Sequence, residues 1–156
     1  MDEMTWEESL AVVKANRLGH LGLADGGDAY VVPLFYGFDG QCFFFHTRPG
    51  EKLDYARHTR QACLTITHAA SVDEWVSVMA FGHLEEVTLT RDQFRAMEAL
   101  LTVPLPPSWG ESQFGEPRRA SAGITLLKLT PTRITGRKSE HRPLTQEERA
   151  MAYGGI

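Results

Sequence analysis

The sequence is poor in the features that most directly reveal chemistry. It has only two cysteines, Cys42 and Cys63, and both fall in apolar, strand-like runs. That excludes a disulfide framework and reads as two buried thiols. Of its histidines, His20, His58, His68, His83 and His141 show no metal-ligand spacing such as His-x-x-x-His on a helix, so no zinc site is expected. There is no Ser-His-Asp arrangement, Walker loop or GxGxxG stretch. No apolar run is long enough to span a bilayer, and no signal peptide or basic targeting segment is visible, so a cytoplasmic protein without a membrane partner is expected. Positive charge is also scarce. A net charge of −4 argues against a general nucleic-acid binder, while leaving room for one local basic pocket.

What is present is an ordinary globular composition over 156 residues, enough for a single domain with a real core. Thr5-Trp6-Glu7-Glu8 is a capping box, and the pattern behind it predicts a helix to about Arg17 that buries Trp6, Leu10 and Val13. Short strands are expected over 19–24 and 29–36, joined by the turn Asp25-Gly26-Gly27-Asp28. Pro33 lies inside the second of these. It cannot donate to a ladder, so it belongs at an edge, a bulge or an opening in the sheet. Further strands are expected over 42–45, 62–67, 75–89 and 124–135, with 69–74 as a loop and Gly82 marking a bulge or bend. A second capping box at Thr90 predicts a helix from Arg91 to about Leu101. Residues 102–119 are rich in Pro, Gly and Ser and read as a long surface loop. Strands at regular spacing, with helices inserted rather than alternating, define a mainly β fold with peripheral helices. The chain reads as one β-barrel domain over 1–156, with a polar tail from about 137.

One stretch concentrates the candidate chemistry. Residues 41–52 run from an aromatic strand, Cys42-Phe43-Phe44-Phe45, into His46-Thr47-Arg48, then a Pro49-Gly50 turn and a helix opening with Glu51-Lys52. A helix start with unpaired N–H groups, together with a hydroxyl, a guanidinium and an ammonium, makes a phosphate cradle. Lys52 is the first candidate for the phosphate, with Thr47 as hydroxyl donor and Arg48 beside it. A solvated helix charge is the ordinary alternative for Lys52.

This stretch, with Arg60-Gln61-Ala62-Cys63-Leu64-Thr65-Ile66 behind it, resembles the flavin-binding signature of the pyridoxamine 5′-phosphate oxidase-like family, the FMN-binding split β-barrels. The broader likeness covers roughly residues 5 to 137. The resemblance implies FMN as cofactor, a homodimer with flavin sites at the interface, and a small-molecule substrate. It implies that the backbone of Val31, Val32 and Pro33 faces the flavin ring, and that Ser77 on the long strand bonds the cofactor. Ser77 as a plain strand-surface serine is the alternative.

His46 either hydrogen-bonds the flavin or caps the core. In the nitroimidazole-reductase-like branch a histidine precedes a turn, a glycine and a lysine. His46, Gly50 and Lys52 repeat that order with a turn one residue shorter, and no catalytic residue is assigned. The tail offers Arg137-Lys138 and His141-Arg142 without the tryptophan expected of a true pyridoxamine phosphate oxidase, so that substrate is not carried over. Three functional classes stand side by side. They are a flavin-dependent oxidoreductase, a flavin- or haem-binding module without turnover, and a dimer without cofactor.

Overall fold

In the computed structural model, residues 1–47, 54, 57, 58, 60–101 and 125–140 are described. A two-residue strand β1 (Asp2–Glu3) leads into helix α1 (Trp6–Ala15). The capping box forms as expected: Thr5 Oγ1 accepts the Glu8 N–H at 3.2 Å, and Glu8 Oε2 accepts the Thr5 N–H at 2.8 Å. The helix ends before Arg17, at an extended Asn16 whose side-chain amide donates to Val12 O at 2.8 Å. The buried stripe also differs from expectation. Val13 is buried but Trp6, the first helical residue, is 53% exposed. Ser9 is buried instead, because its hydroxyl is satisfied by Thr5 O at 2.9 Å and it lies against Gly136, where a Cβ would collide with it.

The remaining elements are β2 (Leu18–Asp25), β3 (Asp28–Phe35), β4 (Gly37–Phe38), β5 (Phe43–Thr47), β6 (Gln61–Ser71), β7 (Glu74–Glu86), helix α2 (Thr90–Leu101) and β8 (Thr125–Lys138). They form one antiparallel sheet in the order β3-β2-β6-β7-β8-β5-β4, with β1 on β8. Residues 69–71, expected in a loop, extend β6, and the connection to β7 is a tight turn at Val72-Asp73. Thr90 is the first residue of α2 rather than its cap; the Leu89 carbonyl accepts the N–H groups of Asp92 and Gln93, each at 3.0 Å. Of the helix expected to open with Glu51-Lys52, residues 54, 57 and 58 are helical and its opening lies outside the described residues, as do the loop 102–119 and the tail from 141.

The chain's connectivity forces this sheet to curl. The strands at its two ends, β3 and β4, are joined through Tyr36 alone. In a flat sheet six strand spacings, about 29 Å, would separate them. Two residue steps reach about 7 Å. The sheet therefore curls until its two ends approach at Tyr36, and it stays unpaired between β3 and β4.

Tyr36 plugs this seam. Its ring is fully buried edge-on to Phe43 at 5.4 Å, and its hydroxyl donates to Val13 O at 2.7 Å. Inside the barrel, Leu21, Leu64, Ile66, Val78, Leu84, Leu127 and Leu129 form the core with Phe43 and Phe45. Phe44 turns the other way, into a smaller cluster with Cys42, Ala96 and Ala99 under α2. Both faces of β5 are thus buried, which accounts for its unbroken aromatic run.

A bulge on β8 sets the far side of the barrel. Phe81 faces Arg133 and Gly82 faces Pro131, so Thr132 has no opposite number. Gly82 is where the sequence suggested irregularity, and the reason is steric. A Cβ there would run into the Thr130 carbonyl and lie 2.8 Å from Pro131 Cα. The extra residue inverts the strand's alternation. Leu127 and Leu129 point into the core before it, and Ile134 and Gly136 after it.

Candidate functional site

The barrel has an outer face that α2 does not cover, formed by β3, β2, β6, β7 and the second half of β8. Register aligns it in rows. Pro33, His20, Thr65, Met79 and Thr135 make one row; Val31, Gly22, Cys63, Phe81 and Arg133 make the next. Thr67, Ser77 and Arg137 extend the face at its other end. Within each strand these residues alternate with the core positions, as one-sided burial requires.

Val31 and Pro33 both lie on this face and both are exposed, Val31 by 66%. Val32 turns inward against the core. All three sit on β3, an end strand of the sheet, so Pro33 occupies an edge. On the side away from β2, the β3 backbone has no partner strand among the described residues. Ser77 shares the outer face but is half-buried, and its hydroxyl lies 3.1 Å from Thr67 Oγ1.

His46 and Thr47 close β5, opposite Leu126 and Thr125 of β8. Thr47 is buried at 3% exposure and His46 is half-buried, on the same side of the strand as Phe44. Arg48 and Lys52 lie outside the described residues. One chain therefore brings Val31, Pro33 and Ser77 onto one face but does not bring His46 and Thr47 to Ser77. Ser77 pairs with Arg137 and His46 with Leu126. Those positions are about 35 Å apart measured along a strand.

The outer face also holds residues that sequence reading did not single out. The Arg133 guanidinium stacks on the Phe81 ring at 4.2 Å, and Cys63 lies beside Phe81. Burial pushes the Cys63 thiol above its ordinary range. Gly22, Cys63, Phe81 and Arg133 line an open groove of about 550 Å³. The period-2 alternation of β7 puts Phe81 on the side opposite Val78 and Ala80, but nothing local shows that Arg133 joins it. That depends on the β8 bulge.

On the opposite side, under α2, charge is used differently. Asp92, 3% exposed, receives Lys128 Nζ at 2.8 Å and Arg95 Nη1 at 3.1 Å; Arg95 also holds Asp39 at 2.6 Å. Asp39 in turn accepts the N–H groups of Gln41 and Cys42 at 2.9 and 2.8 Å, fixing the turn into β5. The Lys128 hydrogen bond holds the Asp92 carboxyl below the usual aspartate range. Among the described residues no group of three His, Cys, Asp or Glu could hold a metal ion, and no helix is long and apolar enough to cross a membrane.

Comparison with known proteins agrees with this architecture. The family model described as pyridoxamine 5′-phosphate oxidase matches residues 5–138. An uncharacterised protein of Rhizobium meliloti is 29% identical over 109 residues, covering 69% of this chain and 72% of that protein. Among solved structures, a FAD-binding protein of Mesorhizobium loti superposes with a TM-score of 0.73 at 21% identity, over 90% of this chain and 97% of the other. A FAD- and haem-binding protein of Mycobacterium smegmatis gives 0.70 at 20% identity, over 99% and 81%. The fold is the flavin-binding split β-barrel. The chain belongs to the pyridoxamine 5′-phosphate oxidase family.

Proposed function

We propose that this protein is a cytoplasmic, FMN-dependent oxidoreductase that acts on a small molecule as a homodimer, with its flavin sites at the dimer interface. The observation that carries this reading is the open edge of β3 at Val31, Val32 and Pro33. Peptide groups without a strand partner there can take up the polar edge of a flavin ring, and Pro33 withholds a donor at one position. FMN supplies hydride or electron transfer when bound. The chain's part is to hold it. The β3 backbone and Ser77 meet the ring, while His46, Thr47, Arg48 and Lys52 receive the phosphate.

The separation of Ser77 from His46 and Thr47 within one chain supports a site completed by a second chain. The apolar side chains left open on the outer face, Leu18, Val31 and Met79, support the same association. The strand from Trp75 to Phe81 is apolar enough in sequence to suggest a dimer surface; its Val78 and Ala80 side faces this barrel's own core, fully buried, and its Met79 side is the one left open.

The test is Lys52→Ala. Losing a charge-assisted hydrogen bond to the phosphate contributes about 1.5–3 kcal/mol, so FMN affinity falls roughly tenfold to a hundredfold. Riboflavin, which has no phosphate, binds as before. Flavin fluorescence quenching reads both titrations. Equal losses for the two ligands, or none for FMN, would remove Lys52 from the site.

A second reading, a flavin- or haem-binding module without turnover, draws on the likeness to the Mycobacterium smegmatis FAD- and haem-binding protein. A sharp Soret band in the purified protein favours it over the first.

A further inference from the structure

Helix α2 turns one face onto the barrel and leaves the opposite face bare. Asp92, Ala96 and Ala99 are buried beneath it. Half a turn away, Phe94, Met97 and Leu101 recur at helical spacing, each more than half exposed and Leu101 by 82%. Leu89, just before the helix, is exposed as well. Single apolar side chains on a surface are ordinary, but a stripe of large ones along one helix face marks a contact.

The charges beside the stripe define what fits it. Arg91 and Glu98 are exposed and lie on the same flank, two turns apart. Neither is in a salt bridge among the described residues. About 10 Å of helix separates them, so they do not pair with each other. A flank with opposite signs at its two ends is self-complementary. A second copy of α2 running antiparallel brings Arg91 level with Glu98 of the other chain, twice, about a two-fold axis near residue 95. The same axis brings Phe94 beside Phe94 and Met97 of the second copy, and Leu101 level with its Leu89. At about 1.5 Å of rise per residue, all these pairs match to within about 3 Å along the helix. A parallel pair would set Arg91 level with Arg91 and form no ion pair.

We propose that α2 docks on α2 of a second copy of this chain as an antiparallel pair, with Phe94, Met97 and Leu101 forming its apolar seam and an Arg91–Glu98 ion pair at each end. This contact is on the other side of the barrel from the uncovered outer face. It rests neither on the flavin site nor on the association proposed there. A chain that makes both contacts builds an assembly larger than a dimer.

Sedimentation equilibrium of the full chain at micromolar concentration tests this. Phe94→Ser takes the central side chain from an exposed position, leaves the far-UV circular dichroism unchanged and halves the assembly mass. Arg91→Glu sets like charges against each other at two places and weakens the association at least about tenfold, and Glu98→Arg does the same. Carrying both substitutions restores the ion pairs with their signs exchanged, and returns the association to within about threefold of wild type. Bound flavin per chain stays at the wild-type level in every variant. A wild type without flavin would sink the function proposed above and leave the mass comparison standing. The present proposal is overturned if wild type and Phe94→Ser sediment at one mass, which would leave the stripe to residues 102–124 of its own chain. It is equally overturned if the double variant associates no better than the single ones, or if flavin is lost together with the mass, which would make α2 part of the flavin-bearing interface.

Discussion

Lys128 and Arg133 stand five positions apart on the same strand, on either side of the Thr132 bulge, and the protein uses them in opposite ways. Lys128, 14% exposed, is enclosed by Asp92 and Glu85 under α2, and its ammonium is held charged above the usual lysine range chiefly by the Asp92 hydrogen bond. Arg133 lies on the uncovered face, stacked on the Phe81 ring and in no salt bridge among the described residues. A cation whose partners are all internal holds elements together. One that is pre-oriented and left without a counter-ion is available to a ligand. The bulge decides which is which: without the extra residue, position 133 would share the inward phase of Leu127 and Leu129.

The largest effect that would test this contrast is on the α2 side. Asp92→Ala leaves Lys128 and Arg95 facing each other's charge without their shared carboxylate, and destabilises the fold by about 3 kcal/mol in urea unfolding. The effect depends on pH in a defined direction. The folded Asp92 carboxyl titrates below its unfolded value, so its contribution is complete above about pH 3.9 and is lost as pH falls through the lowered folded value. The gap between wild type and Asp92→Ala is therefore constant near neutrality and closes in acid. A gap that widened on acidification would contradict the assignment. The smallest effect belongs to the other cation. Arg133→Gln changes stability by no more than about 0.5 kcal/mol in the same assay. A loss as large as that of Asp92→Ala would mean that Arg133 is also structural.

Much of the fold could be read from the chain because local chemistry and tertiary position agree there. The Thr5 capping box, the aromatic run of β5, Pro33 at an edge and Gly82 at an irregularity each have a local cause that survives in the structure. Other features depended on partners distant in sequence. Trp6 is exposed because the neighbouring strand offers Gly136 to Ser9, not a pocket for an indole. Residues 69–71 join β6 because β7 is there to pair with them. The candidate site was legible as separate pieces. Val31, Pro33 and Ser77 proved to share a face, and His46 with Thr47 proved to lie far along β8 from Ser77. Arg133 was not legible at all, since its orientation follows from a phase change that alternation alone hides.

The central claim is that this barrel carries FMN, and the most direct measurement is to denature the purified protein and identify and quantify what it releases by mass spectrometry. The account predicts one FMN for each chain. Release of FAD in that proportion, of haem alone, or of no cofactor together with failure to bind added FMN, would contradict it.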